Sequence, residues 1–195
     1  CWSHMVRYIA CALGSAVVLE TRDRVWLYDA GPRYASDADA GERVILPFLR
    51  RRGIEALDGL VVSHMDLDHA GGAAAVLRGI DVGRVLTSIP AGHAALGGRM
   101  AVDRCEAGQR LQDGPLSLAV VHPTARDYER RASTNAISCV VRVHMEAATA
   151  LLTGDIPADA EAALAAREPE LPARLLMAPH HGSRTSSSPA LLDLL

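Results

Sequence analysis

The sequence predicts an α+β protein with two β-sheets and helices on their outer faces. Short apolar runs dominate the chain, and amphipathic helical segments are inserted between them one at a time. Three of these runs end abruptly in polar clusters rather than in ordinary turns. The strand-rich order falls into two halves, which suits two sheets.

The first half opens with strands connected as hairpins and continues into alternating strands and helices. The third strand ends at the turn sequence Ala30-Gly31-Pro32. Apolar residues at helical spacing then predict an amphipathic helix that ends at Gly53. The predicted strands are 6–11, 15–20, 25–29 and 60–63, the surface loop is 33–41, and the helices are 44–53 and 73–78.

The second half repeats the pattern of apolar strands with single helices. Most of its strands are rich in Val, Ile, Leu and Ala and are bounded by turn residues. The predicted strands are 85–88, 116–122, 137–143, 148–153 and 174–178, and the helices are 158–167 and the last residues from Pro189.

Length and composition predict one domain. A chain of 195 residues with 49% hydrophobic content supports one substantial core. We interpret residues 1–5 as a cloning remnant and 6–195 as a single domain, soluble as isolated because its apolar runs are shorter than the ~20 residues of a transmembrane helix. The net charge of −3 argues against a broad basic surface for nucleic acid.

The cysteines give no metal or redox motif. They stand at positions 1, 11, 105 and 139, without a C-x-x-C pair, so neither a zinc ribbon nor a thioredoxin-like motif is predicted. We interpret them as small apolar side chains that fill the core. The sequence leaves a disulfide, and therefore the redox compartment, open.

Four potential metal ligands lie within six residues, directly after an apolar strand: His64, Asp66, Asp68 and His69. Alternate residues of an extended segment project to one side, so the first three would converge while Met65 and Leu67 face the core. Carboxylates this close repel each other unless cations neutralise them, and two divalent ions would do so. The alternative is an acidic loop with incidental histidines.

Two further polar groups follow apolar strands in the second half. Asp155 comes after Leu151-Leu152-Thr153-Gly154, and the glycine would permit close backbone approach. Alone the pattern is more typical of an ordinary turn. His180 and His181 end a third strand, where two adjacent histidines are hard to assign to packing. The remaining histidines are expected in the tag, in loops or on strand surfaces: His4, His93, His122 and His144.

The cluster at 64–69 resembles the H-x-H-x-D-H signature of the metallo-β-lactamase superfamily, with Asp66 replacing the second histidine. Its H-x-D-x-D-H form, taken with segments 28–33, 135–142, 151–155 and 180–186, is similar to the C-terminal nuclease-like hydrolase domain of ComEC-type DNA-uptake (competence) channel proteins. The likeness runs from about residue 8 to the end. It implies the four-layer αββα sandwich of the metallo-β-lactamase fold.

The chain departs from this family pattern at three places. The family's Asp-Val-Gly-Gln-Gly loop reads Ala-Cys-Ala-Leu-Gly at 10–14. The superfamily's additional histidine is not evident, and His122, Asn135 and Ser138 are the candidates for its place. The family usually continues with another strand and an Asn-Arg-x-Gly-His-Pro segment, so we expect the last C-terminal elements to be missing here.

The resemblance implies a site with two divalent ions, Mn²⁺ or Zn²⁺. Oxygen-rich ligand sets favour manganese, whereas histidine-rich sets favour zinc. His64 and Asp66 would bind the first ion and Asp155 would bridge both. The second ion would be held by Asp68, His69 and His180.

Other residues are expected to act around the ions. Asp68 and His181 are the predicted catalytic residues, and His181 would donate a proton or contact phosphate, with a hydrogen bond to a carbonyl as the alternative. Asp29 and Asn135 would support the ligands by hydrogen bonds. Phosphate would be bound by Ser183, Arg184 and Thr185, although these also suit the start of a helix before Pro189.

The function that follows from the resemblance is a metal-dependent phosphodiesterase or nuclease acting on DNA, with single strands favoured, during competence uptake. Its partner would be the transmembrane channel region of the same full-length protein in a bacterial inner membrane, with the side of the membrane left open and no stable oligomer expected. A small-molecule phosphodiesterase or lactonase is the first alternative. A non-catalytic docking module of a membrane channel is the second.

Overall fold

The computed structural model describes residues 5–11, 14–130, 132–145 and 148–194. Within them the chain divides into two compact units, which meet in the sequence between Arg104 and Cys105. The predicted cloning remnant lies outside the described residues except for Met5, and so do two residues of the 10–14 loop. The prediction of a single domain over 6–195 stays a prediction.

The first unit contains a sheet with the strand order β1-β2-β3-β6-β7-β8 and a small sheet formed by β4 and β5. The strands β1 to β3 pair antiparallel, whereas β3, β6, β7 and β8 pair parallel. The elements in chain order are β1 (Met5–Cys11), β2 (Gly14–Glu20), β3 (Val25–Tyr28), β4 (Arg33–Ala35), β5 (Ala38–Asp39), a π-helical turn (Gly41–Ile45), α1 (Leu46–Arg51), β6 (Ala56–Val62), α2 (Leu67–Ala70), α3 (Ala73–Gly79), β7 (Asp81–Thr87), a 3-10 turn (Ala94–Leu96) and β8 (Asp103–Arg104).

The central strand β6 explains why polar groups can be gathered at its end. Leu60, Val61 and Val62 are almost completely buried, as expected of a parallel strand that is covered on both faces. Gly59 pairs with Trp26 of β3, and a Cβ at Gly59 would lie 2.3 Å from the Trp26 ring. The glycine therefore lets the indole lie flat over β6, and the strand delivers the residues after Val62 to a fixed position.

The second unit contains a sheet with the order β13-β12-β11-β10-β9, antiparallel except for the β12–β13 pair. Helix α5 packs its apolar face, including Ala160 and Leu164, into the core of this unit. The elements are β9 (Arg110–Asp113), β10 (Leu116–His122), α4 (Ala125–Glu129), a 3-10 turn (Asn135–Ile137), β11 (Val140–Met145), β12 (Ala148–Leu152), α5 (Ala158–Arg167), β13 (Leu175–Leu176), a 3-10 turn (Pro179–Gly182) and α6 (Pro189–Leu192).

Most predicted elements are present, with differences where the periodic signal is short. Helix α5 has the predicted bounds, whereas the strand predicted at 174–178 forms ladder pairs only at Leu175 and Leu176. The loop predicted at 33–41 contains the β4–β5 pair. Strands β8 and β9 and helix α4 were not predicted. Among the described residues, no helix combines the length and apolar character needed to cross a bilayer.

The interpretation of the cysteines as core fillers is wrong for two of them. Cys105 and Cys139 form a disulfide with a Cα–Cα distance of 5.8 Å, and both are completely buried. The bond joins the start of the second unit to the residue before β11. Spacing alone could not reveal this pair, because the two cysteines are 34 positions apart in the sequence and four elements lie between them: β9, β10, α4 and a 3-10 turn.

We expect reduction of this disulfide to destabilise the second unit. Closing a loop of this length lowers the entropy of the unfolded chain, which corresponds to about 3–4 kcal/mol of stability. Chemical denaturation with and without reductant measures the change. A C105S/C139S double variant is the control: it should already have the lower stability and be insensitive to reductant. Equal midpoints for the oxidised and reduced wild type would contradict the prediction.

Candidate metal centre

The first ligand cluster begins where β6 ends and is anchored by a buried carboxylate. Asp29, which follows β3, is completely buried and accepts hydrogen bonds from the backbone N–H of Ser63 (2.7 Å) and from its hydroxyl (2.9 Å). It also accepts from Nδ1 of His69 (2.7 Å). One carboxylate therefore joins the ends of two neighbouring parallel strands to helix α2.

These hydrogen bonds fix the orientation and tautomer of both histidines. The Ser63 hydroxyl gives its proton to Asp29, so it accepts from Nδ1 of His64 at 2.9 Å. A carboxylate only accepts, so His69 also donates through Nδ1. In neutral rings the lone pair is then on Nε2 of His64 and of His69, which is the arrangement of metal-binding histidines whose other nitrogen donates to a carboxylate or hydroxyl.

The Nε2 atoms face the neighbouring carboxylates at the spacing of shared ligands. His64 Nε2 lies 3.6 Å from Asp66 Oδ2, and His69 Nε2 lies 3.8 Å from Asp68 Oδ2. Both distances exceed hydrogen-bond length. Two ligand atoms at about 2.1 Å from one ion are about 3–4 Å apart for angles between roughly 90° and 150°. The chemistry and spacing of these donors therefore fit a divalent cation.

The turn that carries Asp66 and Asp68 is locked against the segment after β3. The Ala30 N–H donates to the His69 carbonyl at 2.8 Å, and a Cβ at Gly72 would lie 2.3 Å from the Ala30 carbonyl oxygen. A Cβ at the preceding glycine, Gly71, would meet backbone at 2.2 Å. The pair of glycines after the cluster is thus required by close packing of two backbones.

The expectation that Leu67 faces the core is wrong, whereas Met65 does pack against it. Leu67 is 60% exposed. Asp66 is the N-cap of α2 with extended backbone angles, and Leu67 is the first residue of the helix. The alternation of an extended segment therefore stops at Asp66, and the helix turns Leu67 outwards.

The second cluster lies in the second unit, around the end of β12. Asp155 is almost completely buried, and its backbone N–H donates to the hydroxyl of Ser138 at 3.2 Å. Oδ2 of Asp155 is 3.9 Å from Nε2 of His180 and also 3.9 Å from Nε2 of His181. Both histidines are candidate ligands at this spacing, and this unit by itself does not distinguish between them.

Backbone strain accompanies the two histidines. His180 has φ 49° and His181 has φ 52°, a left-handed conformation that costs about 1–2 kcal/mol for each such residue. Gly154, before Asp155, has φ 54°, and its carbonyl accepts from the His180 N–H at 3.2 Å. Strain of this kind persists where surrounding contacts impose it, and it is concentrated at functional sites.

The residues predicted to bind phosphate form the exposed end of this loop. Arg184 and Thr185 are exposed, and the hydroxyls of Ser183 and Thr185 are 3.1 Å apart. Their role stays a prediction. The hydroxyl of Ser186 donates to the Pro179 carbonyl at 2.8 Å, which closes the loop on the residue before His180.

His122 is not a surface residue, which corrects the expectation from sequence. It is 1% exposed at the end of β10, and Nε2 contacts the Ala136 carbonyl at 2.8 Å. Nδ1 lies 3.7 Å from Asp127. Both ring nitrogens thus face groups outside the ligand cluster of this unit, and Ser138 is the residue that contacts Asp155.

Asn135 was predicted to support the ligands, and Ser63 was not considered. The Oδ1 of Asn135 accepts from the Thr134 hydroxyl at 3.2 Å, so its proposed role toward the ligands stays a prediction. Ser63 holds both Asp29 and His64. The available signal was a hydroxyl residue directly before the first histidine, at the end of a buried strand.

Comparisons with known proteins identify the family to which this chain belongs. A profile of the metallo-beta-lactamase superfamily matches residues 10–195, and the chain belongs to this superfamily. It is 32% identical over 166 residues to "ComE operon protein 3" of Bacillus subtilis, covering 80% of this chain and 21% of that protein. It is 33% identical over 181 residues to "Competence protein ComA" of Neisseria gonorrhoeae, covering 92% and 24%. The chain thus spans about a fifth to a quarter of these relatives.

Solved structures confirm the predicted fold class. MEM-A1, a subclass B3 metallo-beta-lactamase isolated from a soil metagenome library, matches with a TM-score of 0.63 at 17% identity, covering 91% of this chain and 77% of that one. A sequence identity of 17% shows that the two proteins share a fold, and nothing more. The predicted α+β sandwich of the metallo-β-lactamase fold is therefore confirmed, as is the resemblance to competence proteins.

The buried His122 predicts a pH dependence of stability. Burial lowers the pKa of His122 below its usual 6.5, although the Ala136 carbonyl and Asp127 oppose the shift. Because the folded state favours the neutral ring, its contribution is complete above pH 6.5 and is lost as the pH falls below that value.

We expect His122→Gln, which keeps a donor for the Ala136 carbonyl, to flatten the stability profile between about pH 7.5 and 5. Denaturant midpoints across this range measure the difference. Asp127 titrates in a more acidic range: burial raises its pKa, but hydrogen bonds from Thr124 together with the charges of His122 and Arg167 lower it below 3.8, so its contribution is lost only at more acidic pH. Parallel profiles for wild type and variant would rule out His122 as the source.

Proposed function

We propose that this chain is the hydrolytic domain of a larger DNA-uptake protein, and that it cleaves phosphodiester bonds of single-stranded DNA in a metal-dependent reaction. The observation that carries the proposal is the orientation of His64 and His69, whose Nε2 atoms are turned toward Asp66 and Asp68 by the buried Asp29. Membership of a hydrolase superfamily and the names of the competence relatives support it.

The proposed ligand set follows the superfamily pattern, which alone selects His180, because His180 and His181 are equally far from Asp155. His64 and Asp66 would hold one ion, and Asp155 would bridge to a second ion held by Asp68, His69 and His180. The carboxylate at position 66 shifts the preference toward manganese over zinc. When bound, two such ions lower the pKa of a shared water and stabilise charge on the phosphodiester oxygens.

The chain's own groups would orient the reactants. Asp68 would accept a hydrogen bond from the attacking water, and His181 would donate a proton to the leaving oxygen. Arg184, with the hydroxyls of Ser183 and Thr185, would hold a phosphate oxygen. Asp29 and Asn135 would keep the ligands in place rather than touch the substrate.

The setting we propose is the membrane. The relatives are about four times as long as this chain, since 166 matched residues are 21% of one and 181 are 24% of the other, so the partner would be the channel region of the same full-length protein. The buried disulfide supports an oxidising compartment, outside the cytoplasm, as the working location. We propose that the chain does not form a stable oligomer.

The decisive experiment compares substrates on one preparation. The chain is loaded with Mn²⁺ or Zn²⁺ and incubated with labelled single-stranded DNA, double-stranded DNA and bis-p-nitrophenyl phosphate. We expect cleavage of the single strand to be fastest. Turnover of the small ester without DNA cleavage would favour a small-molecule phosphodiesterase or lactonase, and metal binding without turnover of any substrate would favour a docking module.

Asp155→Asn should abolish hydrolysis and leave the fold intact. A bridging carboxylate supplies negative charge to both cations, and a neutral amide would lose that charge while preserving shape. The paired measurements are thermal melting without metal and DNA cleavage with Mn²⁺. Near-normal cleavage at an unchanged melting temperature would remove Asp155 from the site.

Asp66→His should tighten Zn²⁺ binding relative to Mn²⁺ binding, because imidazole is the softer ligand. Competition titrations with the two ions measure the ratio. The control is Asp58→Asn, which changes a carboxylate of the same unit that hydrogen-bonds Arg24 and the Val25 N–H instead of facing a histidine. An unchanged ratio in Asp66→His would mean that Asp66 is not a ligand.

A further inference from the structure

We infer that Glu161 is a positioning residue for the loop that carries His180 and His181, an inference that rests on the proposed metal-dependent hydrolysis. Glu161 lies in α5, outside the motifs that identify the family, and sequence patterns give it no role. Its side chain is completely buried, although the residue is ionisable and helix α5 could have carried an apolar side chain there.

Both oxygens of the Glu161 carboxylate accept hydrogen bonds from the backbone of this loop. Oε1 accepts from the Ser187 N–H and Oε2 accepts from the Ser188 N–H, both at 2.7 Å. A second link between the same segments runs from the Ala158 N–H to the Thr185 carbonyl at 3.0 Å. Only an ionised carboxylate offers two oxygens that both accept, so glutamine would keep one bond and turn an N–H₂ group toward the other donor.

This anchor is connected to the histidines through the loop itself. Ser186, next to the anchored pair, donates its hydroxyl proton to the Pro179 carbonyl at 2.8 Å, and the Ser183 carbonyl lies 3.1 Å from the same hydroxyl. Ser187 has φ 59°, so the anchored turn is strained, as the two histidines are. Three non-glycine residues with left-handed angles within eight positions need contacts that impose this path, and Glu161 supplies two of them at one end.

The role is therefore to hold the imidazoles in place beside Asp155 rather than to contact substrate. Burying a carboxylate is costly, and a well-packed apolar residue would serve stability as well or better. The geometry instead suits a requirement for loop position. Loss of a group that hydrogen-bonds a metal ligand directly typically weakens metal binding by about 10- to 100-fold. Glu161 acts on the histidines through the loop backbone, so we expect a loss at the lower end of this range.

The test uses the whole chain with Glu161→Gln and measures two quantities. The first is amide hydrogen exchange at Ser187 and Ser188 without metal, which should be at least tenfold faster in the variant. The second is Mn²⁺ affinity by calorimetric titration, which should fall by about tenfold. Glu161→Asp keeps the charge but shortens the side chain, so its exchange rates and Mn²⁺ affinity should lie between those of wild type and Glu161→Gln. If Glu161→Gln does not fold, Glu161→Asp replaces it in the test.

Two variants of the same helix are the controls. Asp159→Asn changes an exposed carboxylate of α5, and Leu164→Val weakens the core beside the helix; both should keep wild-type Mn²⁺ affinity. If Leu164→Val lost as much Mn²⁺ affinity as Glu161→Gln, Glu161 would only be a residue that stabilises the fold in general. Faster exchange with unchanged affinity in Glu161→Gln would also overturn the inference.

The outcomes separate this inference from the proposed function. Wild-type chain that binds Mn²⁺ but cleaves no phosphodiester would refute the hydrolase proposal and leave the Glu161 result readable from affinity and exchange. Wild-type chain that binds neither Mn²⁺ nor Zn²⁺ would refute both.

Discussion

The hydrogen bonds accepted by the buried carboxylate of Asp29 are the interaction on which the first ligand cluster depends. They join the ends of two parallel strands and one short helix, and they set which nitrogen of His69 and, through Ser63, of His64 faces outwards. A carboxylate is suited to this position because it accepts only, so every neighbour must present a donor. These hydrogen bonds therefore fix the orientation of both imidazoles in the cluster.

The second unit uses the same physical principle with different groups. Asp155 is held through its backbone by Ser138, which is adjacent to the disulfide cysteine Cys139. The loop of His180 and His181 is strained and is restrained by a buried carboxylate on a neighbouring helix. In each unit, buried polar contacts fix the positions of the candidate metal ligands, whereas the apolar core only determines where each strand ends.

The negative charge of the chain bears on the DNA cleavage that we propose. The chain carries a net charge of −3 and several carboxylates at its candidate site, so the proposed binding of DNA would depend on bound cations and on local arginines such as Arg184. The same carboxylates distinguish the site from a histidine-rich zinc site. The exposed Leu67, set between Asp66 and Asp68, adds an apolar surface at the cluster that the sequence pattern had assigned to the core.

The sequence by itself determined the fold class, most strands, helix α5 and the positions of the candidate ligand clusters, because apolar periodicity and clusters of His and Asp at strand ends are local signals. The tertiary structure decided the rest. The pairing of Cys105 with Cys139, the burial of His122, the outward turn of Leu67 and the partners of Asp29 and Glu161 all depend on contacts between segments distant in sequence or on where a helix begins. No local pattern encodes such contacts, since they exist only once the backbone has brought those segments together.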